Sequence, residues 1–587
     1  MKKHEPGRMT EDRMGDILRK AGVAVVTGAL TMALCPLSAL AETSTTTSNT
    51  APTSTTQAAP GDGGTPGEPP SGGMGGGGAD TQTFDYTGTY SGALTTDGTS
   101  ATSSSESYDA STADENAVLV ENGGTLTMTG GTLTKSGDDS NGDNCNFYGL
   151  NSILLSVGEE SQATVSGTSL SATSEGSNGI FATDSGTVYA NDDTITTTAD
   201  NSRGLDATYD GTIVANGMTI STQGNHCAGI ATDRGGGNIS VTDSTLSTAG
   251  SGSPLLYSTG DIEVSGVTGT ASGSHIAGME GLNTILINDS TLESTNDAIS
   301  GSDPIENGVI IYQSTSGDAE STTGEAATFQ ASGSTLKSAI TSGAMFYFTN
   351  TSANVVLSDT TLDYDSTDAN LIYAAGNDSN SWGTAGSNGA TVSFTGIGED
   401  MSGDVVADTI SSVDLYLTAG TTWTGAASIE ENANGSTSEA PLSVSVDGTS
   451  SWVVDGDSTV TDLTVADGGK VVDASGNTVA IVADGSTVVE GTSSYTVTVT
   501  GSYSTSYDAS GAGSLSTDLI DRSAFDEAFG TDTSFEMGQA SDTTASTSTT
   551  DTTTSESSSA AATSTTETTS SENPFQAFLD WFFGLFS

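Results

Sequence analysis

Residues able to do acid–base or nucleophilic chemistry are few and lopsided. The chain carries 12 Lys and Arg against 74 Asp and Glu, a formal net charge of −62 over 587 residues. Half of the basic residues lie within the first 20 positions, leaving Lys135, Arg203, Arg234, Lys337, Lys470 and Arg522 scattered over the rest. His226 precedes Cys227 and His275 follows Ser274. Asp138-Asp139-Ser140-Asn141-Gly142-Asp143-Asn144 gathers oxygen ligands in one turn, which makes Asp138, Asp139 and Asp143 candidate calcium ligands. The spacing is not that of an EF-hand and lacks its closing Glu, so the favoured reading is a solvated turn. Cys145, Cys227, His226 and His275 lack the clustering of a zinc site. A hydrolytic pair of carboxylates needs ~6.5–9.5 Å between its members, and acids are abundant enough for chance pairs. No catalytic or cofactor-binding residue is assigned. So acidic a body offers no basic footprint to nucleic acid or anionic headgroups, and repels polyanionic substrates.

The elements that would position any of these groups are set by a repeat. Residues 179–191 and 204–216 match at a shift of 25 residues. One track runs Ile180, Leu205, Ile230, Leu255, Met279. A second is an apolar pair at i and i+2: Val188/Ala190, Ile213/Ala215, Ile239/Val241, Ile262/Val264, Ile285/Ile287, Phe329/Ala331, Val355/Leu357. A third runs Leu170, Ile195, Ile220, Leu246, Val267, Leu292, Leu336, Leu362. The long step from Leu292 to Leu336 spans either nearly two turns or one turn with an insertion. Period-2 alternation marks each piece as a short strand. Gly, Asn and Asp fall between the pieces, where turns need positive φ. Asp-x-Thr recurs before the third track, at Asp192, Asp243, Asp289 and Asp359, as expected of stacked turns whose side chains bond neighbouring backbone. Three strands per ~25-residue turn, stacked at ~4.8 Å, define a parallel β-helix. The tracks place Arg203 and Arg234 on different faces. Cys145 is expected about three coils from Cys227, too far for a disulfide. Trp382, Trp423 and Trp452 read as core packing ahead of sugar platforms.

The expected organisation is a signal peptide (1–41), a Ser/Thr/Gly-rich linker (42–82), an N-terminal cap (83–117), the β-helix (118–504), a flexible acidic Ser/Thr-rich linker (505–572) and an amphipathic C-terminal helix (573–587). The signal reading rests on Arg19-Lys20, the apolar run from Ala21, and Ala39-Leu40-Ala41. In the last segment Phe575, Phe578, Leu579, Trp581, Phe582, Phe583 and Phe586 form a helical stripe. It is too short to span a bilayer and suits an in-plane membrane contact or a partner socket.

The coil pattern Gly186-Thr187-Val188-Tyr189-Ala190, with Asp192-Asp193-Thr194-Ile195-Thr196-Thr197, resembles right-handed parallel β-helices of the pectate-lyase-like fold. Ala113–Val120, Asp233-Arg234-Gly235-Gly236-Gly237, Ile311–Ala319 and Ser450–Ser458 are similar to segments of large adhesin-like β-helix proteins of Gram-positive gut bacteria. The resemblance covers roughly residues 80–504 and implies export and this fold, without an established reaction. Of the polysaccharide-cleaving relatives' motifs, Gly-His-Gly is absent, and no Arg-x-Lys follows the leader. The expected function is a secreted or surface-attached, non-catalytic adhesin for glycan, matrix or cells. The alternative is a polysaccharide lyase or hydrolase, which acids and a base converging in a groove on one sheet face would favour.

Overall fold

The computed structural model describes residues 83–314, 319, 326–378 and 382–538. The segments read as signal peptide and first linker, the part of the expected acidic linker after 538, and the C-terminal stretch with Phe575, Phe578, Leu579, Trp581, Phe582, Phe583 and Phe586 lie outside the described residues.

Each coil gives one strand to each of three walls, a first sheet of 13 strands, a second of 15 and a third of ten. A further four-stranded sheet, from Asp400–Ser402 to Lys470–Val472, follows. Neighbouring strands in these sheets pair in parallel, and the 15 strands of the second sheet make a rod of ~67 Å. The second-sheet track is in register throughout: Val188, Ile213, Ile239, Ile262, Ile285, Phe329 and Val355 pair in sequence. They are fully buried. The expected turns are present too. Asp192, Asp243, Asp289 and Asp359 all have positive φ, and Gly167, Gly217, Gly266 and Gly333 take the same conformation at the intervening corners. The residue after each corner bonds the adjacent coil's backbone: Thr168 N–H donates to Asp193 at 2.6 Å and Met218 N–H to Ser244 at 2.9 Å.

Several boundaries differ from expectation. Gly92–Asp97, Ser100–Ser104 and Ser107–Ala110 already form a complete coil paired with the next, so the β-helix begins inside the segment read as a cap. In the first sheet Ile180, Leu205 and Ile230 stack, but Leu256 follows Ile230, and Met279 pairs with Ser258. In the third sheet Gly269, not Val267, follows Leu246. The two shifts compensate, because the Leu255 side chain fills the space a Cβ at Gly269 would take, 2.7 Å away. Leu292 pairs directly with Leu336, so the long step is one coil with an insertion. At the far end an antiparallel hairpin, Ala480–Ala483 with Ser486–Val489, joins a small mixed sheet. Antiparallel pairing there breaks the repeated parallel register.

The largest difference concerns residues 505–538, expected to be flexible linker. They form a strap that runs back along the outer face of the second sheet. Gly513 N–H donates to Thr395 Oγ1 (2.8 Å), Ser516 N–H to Gln330 Oε1 (2.7 Å) and Ile520 N–H to Glu263 Oε1 (2.9 Å). Arg522 is buried and donates to Ser240 O and Oγ, Ala215 O, Thr242 Oγ1 and Thr533 Oγ1. Helix α2 (Ser523–Phe529) then sets Phe525 edge-on to Tyr189, and Gly538 N–H reaches Asn288. From 504 to 522 the chain covers about nine strand spacings, ~43 Å, about 70 per cent of its fully extended reach, with a turn at Ala509–Ala512. The strap answers a need of the sheet. Tyr189, Val214, Ser240, Glu263, Leu286, Gln330, Val356, Thr395 and Tyr416 form one outward-facing column. Val214, Leu286 and Val356 would lie bare in water without it, yet each is buried.

Candidate binding cleft on the first sheet

The outward column of the first sheet also carries many apolar side chains: Leu119, Leu155, Phe181, Asp206, Ala231, Tyr257, Gly278, Ile310, Tyr347 and Tyr373 pair in order. Its two ends are covered. Helix α1 (Gly142–Tyr148) lies over the first end, capped by Asn141, whose side chain accepts from the Asp143 and Asn144 N–H groups. It ends at Gly149 (φ 72°), where a Cβ would stand 2.7 Å from the Phe181 ring. Phe84 and Tyr90 pack on the same apolar group. Over the other end, Trp382 stacks on Tyr312 with ring centroids 4.1 Å apart, packed with Ile310 and Tyr347. Between the covers a cleft of about 290 Å³ stays open. Phe147, Arg203, Asp233, Tyr257, His275, Asp303 and Tyr312 line it.

The polar groups of the cleft are held by one another. Arg203 ion-pairs with Asp233 (3.0 Å) and Asp206 (3.5 Å), and donates to Asn146 Oδ1 on α1 (2.8 Å). Burial works against its charge, but Asp206 and Asp233 outweigh it and hold the guanidinium above its ordinary range. Asp206 is fully buried and neither carboxylate oxygen has a hydrogen-bond partner. Burial pushes its carboxyl well up, although Arg203 pulls the other way. His275 Nδ1 lies 3.1 Å from Asp303. It packs over Gly278, where a Cβ would stand 2.9 Å from its Nε2. Tyr257 and Tyr312 both donate to Glu280, at 2.9 and 3.2 Å. Burial, then the Glu280 charge, raises both phenols well above the ordinary range.

The expectation that Arg203 and Arg234 fall on different faces is overturned. Both reach α1, Arg203 through Asn146 and Arg234 by lying 3.8 Å over the Phe147 ring. Counting positions from a track fails here because the helix, inserted between coils, bridges them. Asp138 and Asp139 precede the same helix and serve its entry turn, while Asp143 lies in the first turn of the helix itself. Asp138 accepts the Glu175 N–H, and Asp139 lies 3.8 Å from the Cys145 thiol. Among the described residues no group of three or more His, Cys, Asp or Glu is arranged to hold a metal ion. Cys145 and Cys227 are both free and buried. The residue alignment behind their expected separation differs by four positions, since Leu154 rather than Leu150 pairs with Ile180, and Cys145 rides on α1. Cys227 takes one rung of a serine ladder: Ser177 N–H donates to Ser202 Oγ, Ser202 N–H to Cys227 Sγ, and Cys227 N–H to Ser253 Oγ. Burial raises its thiol to about 11. Trp423 and Trp452 stack inside the core, their indoles donating to Gly403 O and Gly425 O.

Sequence reading missed the cleft residues Asp206, Asp233, Asp303, Tyr257 and Tyr312. A usable signal was present: Leu154-Leu155 and Ile180-Phe181 are apolar at consecutive strand positions, which means both faces are covered. No protein-family model matches the chain, and no curated protein or solved structure gives a significant match.

Proposed function

We propose that this protein is an exported adhesive rod that binds glycan through the cleft on its first sheet. The observation that carries the reading is the interrupted cover of that face. An apolar outward ladder is sealed at both ends and left open where tyrosines, carboxylates and an arginine meet. Aromatic faces beside fixed polar groups suit sugar rings, which present apolar C–H patches and hydroxyls together. Export rests on the signal-like leader and on the resemblance to secreted β-helix proteins. Contact of the tail stripe with a membrane or partner belongs to the same reading. Deleting 574–587 should release more protein from the cell surface, and unchanged partitioning would remove that element.

A second reading, a polysaccharide lyase or hydrolase, is favoured by the convergence of Asp206, Asp233 and Asp303 with Arg203 and His275 in one groove. Binding without cleavage is preferred because Arg203 is already tied to Asp206, Asp233 and Asn146 and is not free to serve as a base. Asp206 is also sealed from any substrate. A glycan array with the purified chain, read for both capture and released product, separates the readings. Capture without product is expected. Product formation that is lost in Asp233→Asn would establish the enzyme instead.

A further inference from the structure

Resting on the glycan reading, we infer that the cleft selects saccharides bearing a free amino group over acetylated and acidic ones. The lining is unequal in charge. Asp233 and Asp303 line the opening, Glu280 lies behind the two tyrosines and Asp206 lies beneath Arg203. With Asp206 left out, because burial favours its neutral form, three carboxylates still stand against two guanidiniums, Arg203 and Arg234, and both are already engaged. Arg203 is divided between Asp206, Asp233 and Asn146, so an incoming carboxylate would have to displace three partners. An acidic sugar would also meet the field of a chain with net charge −62.

Charge alone would favour any cation, and the walls narrow the choice. Tyr257 and Tyr312 are fixed through Glu280, and Trp382 backs the Tyr312 ring. Rigid aromatic faces attract an ammonium through the ring quadrupole and also stack on the apolar face of a sugar. A hexosamine offers both features in one ring. At about 290 Å³ the cleft lies at the small end of ligand pockets, which suits one or two sugar units of a longer chain. Asp303 is the residue we expect to meet the ammonium. It sits on the insertion that walls the cleft, where its carboxylate accepts from Asn307 Nδ2 (2.9 Å) and faces His275 Nδ1 (3.1 Å), a neutral amide and an imidazole that an incoming ammonium can displace.

The test is calorimetric titration of the full chain with three probes of equal length: a β-1,4-glucosamine oligomer, its N-acetylated counterpart and an oligogalacturonate. We expect the amine to bind about tenfold tighter than the acetylated form, with no measurable binding of the galacturonate. Asp303→Asn keeps the side-chain volume and should reduce the ratio of amine to acetylated affinity at least threefold. Asp233→Asn, which loosens Arg203, serves as a second variant if the first melts at lower temperature than the parent. Equal binding of amine and acetylated oligomers overturns this inference and leaves the glycan reading standing. Preference for galacturonate, or an amine preference that survives both substitutions, also overturns it. No binding of any probe, together with an empty glycan array, removes both.

Discussion

The outer faces of the first and second sheets pose the same physical problem and solve it differently. Each carries a column of outward apolar side chains that water would penalise. On the second sheet the chain's own strap covers the column from Tyr416 to Tyr189, and Arg522 is sunk into backbone and hydroxyl acceptors with all its bonds made to neutral groups. On the first sheet, α1 and the Tyr312–Trp382 pair cover the two ends and leave the middle open. A solenoid face is therefore solvated only where its outward residues are polar. Where they are apolar, the cover or its gap marks a place of consequence.

The comparison can be broken most forcefully by removing the strap. A chain ending at Ser506 bares Val214, Leu286 and Val356, each worth ~1.5–3 kcal/mol when buried. Its melting temperature should fall and binding of a hydrophobic dye should rise, while the cleft keeps its ligand. An unchanged melt would mean that the strap is a passive passenger. Arg522→Ala is the next step down. It leaves the Ser240 and Ala215 carbonyls short of a donor, at a cost of about 1–3 kcal/mol each. Hydrogen exchange at the Ile520 amide should speed up accordingly, with core-strand amides unaffected. On the opposite face, Gly278→Ala pushes His275 off its seat and crowds the cleft, costing about 1 kcal/mol or more. Oligosaccharide affinity should drop severalfold with little change in the melt.

The smallest effect is one of pH. Burial under the strap pushes the Glu263 carboxyl up to about 7, although the Ile520 N–H bond pulls it down. The docked strap thus holds a proton that the released strap would give up near the ordinary glutamate range. This contribution to docking is complete below that range and is lost as pH rises through about 7. Protection of the Ile520 amide, corrected for intrinsic exchange, should decline from pH 5 to pH 8, and Glu263→Gln should flatten the decline.

Much of the rod was legible because its physics is periodic. The second-sheet pairs and the Asp corners repeat strictly, and the structure keeps each in place. Register was misread where a small residue broke the pattern. At Gly269 the track seemed to continue through Val267, because the compensating side chain, Leu255, comes from another wall. The strap and α1 were illegible for a different reason. Residues 505–538 are polar and aperiodic, and their order comes from a surface hundreds of positions away, as in Arg522 with Ala215. Strand composition was the available clue: Ile213-Val214-Ala215, Ile285-Leu286-Ile287 and Val355-Val356-Leu357 are apolar on both faces, which a half-solvated strand is not. The cleft followed the strap into obscurity, since His275 and Asp303 meet only through an insertion with no counterpart in other coils.

The strap also redirects force. The described chain ends at Gly538, held by Asn288, roughly midway along the second sheet rather than at the tip near Ser504. Tension arriving at Gly538 enters the rod through Asn288 and through the Arg522 anchorage at Ser240 and Ala215. The coils from Thr391 to Ser504 lie off that path and stay slack until the strap peels. With one handle at Phe84 and the other at Gly538, optical-tweezer traces of Arg522→Ala should show a lower first rupture force than the parent. A perturbation of the last coils, such as Trp452→Phe, should leave that first event where it was. A rod loaded at its waist keeps its far end mechanically quiet.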